Sequence, residues 1–159
     1  MPVVQLHQLQ SADTGLIHQI AEWYYAEWHL SIDASKAMLQ AICSDPHQIQ
    51  AVLLAGDIPV ATGSICHHVG LQDRVPRLAS FGPWLARVYT VPAHRGKGYG
   101  SAICRYLQSA CGEQGISTLY LFTDTAELLY AKLGWGVMER LETGGRALAV
   151  MHLHLSAPF

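Results

Sequence analysis

Three glycines alternate at positions 96, 98 and 100, where a β-branched and aromatic stretch gives way to a helical pattern. The run reads Val88-Tyr89-Thr90-Val91-Pro92-Ala93-His94-Arg95-Gly96-Lys97-Gly98-Tyr99-Gly100-Ser101. A strand that enters so glycine-dense a turn and leaves as a helix has few folds open to it. Glycine has no Cβ, so the backbone can approach a ligand closely and adopt left-handed conformations. The first turn of the helix leaves its N–H groups unpaired at the positive end of the dipole. Together these make a site for a phosphate or pyrophosphate, and Arg95 and Lys97 add positive charge beside it. A turn that merely connected strand to helix would need neither the glycines nor the cations.

Two familiar phosphate motifs do not fit. A P-loop requires a glycine five residues before Gly96 and a serine or threonine after Lys97; the chain has Val91 and Gly98 there. The dinucleotide fingerprint requires a different third spacing and an acid about twenty positions on. From position 116 the chain reads Ile-Ser-Thr-Leu-Tyr-Leu, with no acid before Asp124.

Around this run the hydrophobic periodicity alternates between strand and helix. Strands are expected at Val3–Leu9, Ile49–Leu54, Pro59–His67, Trp84–Val91 and Thr118–Phe122, with a final hairpin of Trp135–Leu141 and Ala147–Leu155 around Thr143-Gly144-Gly145. Helices are expected at Leu16–Glu27 with Asp13 as cap, at Ser35–Cys43, from Gly98 to about Gln114 with Gly115 closing it, and at Ala126–Leu133. Val69–Gly82 reads as a loop. A mixed α/β (α+β) fold follows, with a mostly antiparallel central sheet of about six to seven strands flanked by helices.

The 159 residues fit one domain, able to bury about two-thirds of the unfolded surface. Half the residues are hydrophobic and 14% are charged, which excludes a disordered chain. The formal net charge of -2 gives no basic excess for nucleic acid, and no apolar stretch would span a bilayer. Met1-Pro2-Val3-Val4-Gln5-Leu6 is not the start of a signal peptide. Cys43, Cys66, Cys104 and Cys111 form no Cys-x-x-Cys pair, so reduced thiols in the cytoplasm are expected. Cys104 and Cys111, seven apart, belong on the inward face of one helix.

The glycine run resembles motif A of the GCN5-related N-acetyltransferases (GNAT), Arg/Gln-x-x-Gly-x-Gly/Ala, with Arg95, Gly98 and Gly100 in order. Downstream, Tyr130-Ala131-Lys132-Leu133-Gly134-Trp135 is similar to that family's Tyr-x-x-x-Gly-Phe segment, with Trp135 in place of phenylalanine. The resemblance runs from about Pro83 to Trp135. It implies acetyl-CoA as cosubstrate, its pyrophosphate on Gly96, Lys97, Gly98, Tyr99, Gly100 and Ser101 with Arg95 alongside. It also implies that Tyr89, Thr90 and Val91 pair with the pantetheine arm and that Thr123 touches the coenzyme. Tyr130 would act as general acid toward the departing coenzyme A thiolate. Read from residue type alone, Tyr130 could equally be a ring packed on the sheet.

One expected residue is missing. Some members carry a glutamate base on the strand after the motif A helix, and Phe122 stands there instead. Glu27, Asp33, His67, His68 and Asp73 are upstream base candidates without a motif, and a water chain is the alternative. Asp124 reads as a helix cap. Trp28 and Trp84 could wall an acceptor pocket, though core positions suit them better. His152 and His154 share a strand face and His67-His68 are adjacent, but neither pair is completed by a carboxylate or cysteine, so no metal is expected. The resulting expectation is an N-acetyltransferase in which a small amine or a peptide N-terminus attacks acetyl-CoA directly. A coenzyme A-binding sensor without turnover is the rival. The open edge of the final hairpin allows a homodimer.

Overall fold

The computed structural model describes residues 3–155. Seven strands form one sheet: β1 (Val4–Gln8), β2 (Ile49–Ala55), β3 (Ile58–Cys66), β4 (Trp84–Thr90), β5 (Thr118–Thr123), β6 (Gly136–Thr143) and β7 (Arg146–His154). Their spatial order is β1-β2-β3-β4-β5-β7-β6, and every neighbouring pair is antiparallel except β4 and β5. The expected mixed, mostly antiparallel sheet is therefore present, with seven strands and β1 and β6 at its edges.

Strand alternation divides β2 between two cores. Ile49, Ala51 and Leu53 meet Ile103, Cys104, Leu107 and Cys111 of α4 (Tyr99–Glu113) on one face. Val52 turns the other way, onto Ile17, Ile20, Ala21 and Tyr24 of α1 (Thr14–Trp28) and Leu39 of α2 (Ile32–Cys43). Helix α4 lies close because β3 carries Gly63 beneath it. A Cβ there would stand 2.6 Å from Cγ2 of Ile103 and 3.2 Å from Cδ1 of Leu107. Gly63→Ala is expected to destabilise the chain by about 1–3 kcal/mol, the usual effect of overpacking a core. A lower urea midpoint at unchanged slope checks this.

Three sequence expectations need correction. Asp13 caps the Gln10 N–H (2.8 Å) rather than a helical one, and α1 begins directly after it at Thr14. The second helix starts at Ile32, not Ser35, because the Ser31 hydroxyl accepts the Ala34 N–H and supplies the cap. Val69–Gly82 is not a loop throughout: α3 (Gly70–Arg74) and a 3-10 turn (Pro76–Ser80) occupy most of it. The buried Gln72 amide organises this stretch, accepting from Val69 N–H and donating to the carbonyls of Leu78 and Phe81. A remaining short helix, α5 (Glu127–Lys132), links β5 to β6.

The functionally decisive feature is how little β4 and β5 touch. Only Trp84 and Tyr120 are in register, supported by the Tyr120 N–H on the Pro83 carbonyl (3.1 Å). Beyond that pair the strands part and leave a gap in the middle of the sheet. On its other side β4 is bulged: Tyr89 faces Thr62 and Ala86 faces Ser64, so Arg87 and Val88 together oppose Gly63.

Candidate active site

The glycine turn stands at the open end of this gap. After Thr90 the chain makes a 3-10 turn over Pro92–His94 and enters α4 at Tyr99. Gly96 (φ +78) and Gly98 (φ +82) are left-handed, conformations that side chains rarely adopt. A Cβ at either would meet no protein atom within 4 Å, so conformation and an open outer side, not protein packing, account for glycine. Ala102 is the first residue of α4 whose N–H finds the Gly98 carbonyl (3.0 Å). The N–H groups of Tyr99, Gly100 and Ser101 therefore project from the helix end, an anion cradle of backbone donors. At Gly100 a Cβ would make only an ordinary contact, 3.7 Å from the Thr90 hydroxyl.

Lys97 is exposed on the turn. Arg95 is engaged: its Nε donates to the Thr90 carbonyl (2.9 Å), Nη2 reaches Glu27 (3.5 Å), and the guanidinium lies 5.5 Å from the centre of the Tyr89 ring. It thus latches the turn to β4 and α1. The same contacts occupy Glu27, one of the base candidates.

The three residues expected to pair with the pantetheine arm, Tyr89 and Thr90 on β4 and Val91 just after it, differ in what they offer. The Val91 N–H already donates to the Val60 carbonyl (2.9 Å). The Tyr89 side chain is buried toward α1, its ring 5.6 Å from that of Trp23 and 6.0 Å from that of Trp28. By strand alternation the N–H of Thr90 is the one turned away from β3, toward the gap.

Tyr130 sits on α5 on the α4 side of the sheet, 9% exposed, its ring edge-on to Trp135 at 6.2 Å. Burial, with Cys104 adding to it, pushes its phenol well above the ordinary 10.0, so the hydroxyl holds its proton. It is a packed ring that carries a neutral hydroxyl. The thiols nearby are inert: burial pushes Cys104 up to about 12 and Cys111 to about 11. Neither is a nucleophile at neutral pH.

Asp124 is not the helix cap expected of it. The Thr123 hydroxyl accepts the Ala126 N–H (3.0 Å) and shapes the entry to α5, whereas Asp124 accepts from Arg146 (2.6 Å) across the β5–β7 end. Phe122 packs edge-on to Trp84, ring centres 6.3 Å apart. Trp84 is fully buried and donates to the Phe81 carbonyl, so it is core and walls no pocket; Trp28 is 40% exposed beside Tyr24 and Tyr89. His67 and His68 lie just past the other end of β3 and face Asp45 (3.4 Å) and Asp73 (2.8 Å). Asp33 is in the first turn of α2. His67, His68 and their partners lie toward the Trp84 end of β4, away from the glycine turn. His152 and His154 lie 4.9 Å apart ring to ring, and His154 Nδ1 is within hydrogen-bonding distance of the Thr118 hydroxyl.

Sequence reasoning missed a polar group inside the α1 face. Gln50 donates to the Tyr24 hydroxyl (3.2 Å) and Thr62 Oγ1 (2.7 Å) and accepts from Ser64, all four residues fully buried. Arg87, left-handed at φ 52 in the bulge of β4, reaches toward this group. The only sequence signals were a glutamine and an arginine inside strands of otherwise apolar pattern.

The acetyltransferase (GNAT) domain model matches residues 50–137, more than half of the chain. Among solved structures, an aminoglycoside 6'-N-acetyltransferase complexed with coenzyme A superposes with a TM-score of 0.76 at 16% identity, over 98% of this chain and 99% of that one. The ribosomal-protein-S18-alanine N-acetyltransferase from Escherichia coli gives 0.71 at 16% identity, over 99% and 97%. The yncA protein from Salmonella typhimurium with its cofactor acetyl-CoA gives 0.72 at 16%, over 99% and 96%. At these identities the likeness is one of fold. No curated protein matches the chain by sequence.

Proposed function

The chain belongs to the acetyltransferase (GNAT) family, and from that premise we propose that residues 1–159 form one acetyl-CoA-dependent N-acetyltransferase domain acting on a primary amine. The observation that carries this reading is the left-handed Gly96–Gly98 turn at the start of α4, placed at the mouth of the β4–β5 gap. The turn offers backbone donors to a pyrophosphate, and the gap offers Thr90 an unpaired strand partner in a pantetheine amide.

In this reading the acceptor amine attacks the thioester carbonyl directly. A carbon–nitrogen bond forms, the carbon–sulfur bond breaks, and the electron pair leaves on sulfur. Tyr130 donates its proton, or a hydrogen bond, to that sulfur. The ammonium proton leaves through water, since Glu27 is held by Arg95 and His67, His68 and Asp73 lie beyond the other end of β4. The high thiol pKa values of Cys104 and Cys111 favour direct transfer over an acyl-enzyme.

A panel of amines assayed for thiol release, with mass spectrometry of the products, tests the proposal. Amine-dependent release matched by an acetylated product is expected. Saturable coenzyme binding with no amine turned over would instead establish the sensor reading.

A further inference from the structure

The acids around the open side of the sheet are already matched: Glu27 to Arg95, Asp124 to Arg146, Glu127 to Arg140 and Glu139 to Arg77. Arg87 is not. Among the described residues no carboxylate lies within 4.0 Å of it, its Nε is buried without a partner, and Nη2 has only the Cys66 Sγ at 3.8 Å. Its neighbours on the α1 face, Tyr24 and Cys66, are neutral groups whose protons are held by burial. Arg87 is half-buried, and its buried Nε–H is an unsatisfied donor that a bound anion would complete. Its backbone adds a second cost, since an arginine in the left-handed region is strained where glycine or asparagine would sit easily. Such strain is retained where it aims a side chain, and the bulge aims this one off the strand that borders the gap.

A cleft lined by residues of the same apolar cluster as Cys66 also carries arginines. It has a volume of about 190 Å³ and lies between α3 and the β6–β7 turn, lined by Leu71, Arg74, Phe122, Arg146 and Leu148. Arg74, too, has no carboxylate within 4.0 Å among the described residues, as the ion pairs above show. Leu71, Phe122 and Leu148 belong to the same apolar cluster as Cys66, the residue Arg87 touches. This cleft thus joins an apolar wall to Arg74, an exposed cation with no carboxylate partner among the described residues.

We propose that the acceptor is a small amine that also bears an oxyanion, a carboxylate or a phosphate, and that Arg87 receives that oxyanion. This rests on the N-acetyltransferase reading and narrows it. The planar guanidinium takes paired oxygens, which fixes the acceptor's orientation as well as its charge. A polycation would meet the unpaired like charge of Arg87 and find the carboxylates of Glu27, Asp124, Glu127 and Glu139 occupied.

The test compares leucine and phosphoethanolamine with leucinamide and spermidine as acceptors, for wild type, Arg87→Gln and Arg87→Lys. Wild type is expected to favour the two anionic amines. Arg87→Gln should raise their KM roughly 10- to 100-fold, the worth of a charged hydrogen bond, and leave the KM for acetyl-CoA unchanged. Arg87→Lys should recover part of the loss. Preference for leucinamide or spermidine, or an equal effect of Arg87→Gln on all four, overturns the inference. If no amine is turned over, the same anions are titrated against the coenzyme A complex. Binding lost in Arg87→Gln then upholds the anion site while the transferase reading falls; no binding to wild type overturns the site itself.

Discussion

Tyr130→Phe is expected to lower kcat by roughly 100-fold, the lower range of what a positioned general acid contributes, with the KM for acetyl-CoA little changed. The substitution removes one oxygen and keeps the ring, so the edge-on contact with Trp135 and the packing on α4 survive. Thermal stability should therefore stay close to that of wild type, which separates this variant from one that loosens the core. The sign of the pH dependence follows from burial. The phenol is shifted above 10.0, so its proton is held throughout the neutral range and is lost only above the ordinary tyrosine range. An alkaline decline in kcat between about pH 7 and about pH 9 would thus belong to another group, and Tyr130→Phe should leave the shape of that profile intact. Steady-state kinetics across pH check both points. A wild-type kcat in the phenylalanine variant would reduce Tyr130 to a packing residue.

Gly98→Trp should abolish measurable acetyl-CoA binding while the protein still folds. At Gly98 an added Cβ meets no protein atom within 4 Å, so the indole has room on the protein side. Forcing a side chain into the left-handed conformation costs about 1–2 kcal/mol, which a domain of ordinary stability survives. The indole would project over the free N–H groups at the start of α4, where the pyrophosphate is proposed to sit. Loss of close approach forfeits several charge-assisted hydrogen bonds at once, so affinity should fall by at least roughly 100-fold. Equilibrium dialysis against labelled coenzyme, with circular dichroism of both proteins, reads the two effects separately.

The parts of this fold legible in sequence were those with local causes. Gly98 and Gly115 bracket α4 because each marks a helix end by its own conformation, and β2 with β3 announced itself through two apolar runs around Gly56-Asp57. The left-handed glycine turn was legible for the same reason, and the family resemblance supplied the roles proposed for it and for Tyr130. What escaped was set by contacts between distant residues. Helix α3 and the 3-10 turn after it are organised by the Gln72 amide, a partner that no periodicity encodes. Asp124 looked like a cap, but Arg146, across the sheet on β7, claims it. The arginine at position 87 stood out in an apolar strand, but the bulge that turns it left-handed is a cross-strand event opposite Gly63.

The proposed coenzyme site is the groove where the parallel strands β4 and β5 part, with the start of α4 at its mouth. The most direct test is a calorimetric titration of wild-type protein with acetyl-CoA, without any amine present. Saturable binding of one coenzyme per chain is the predicted result. No heat of binding at millimolar acetyl-CoA would contradict the account, and the function proposed from it would fall as well.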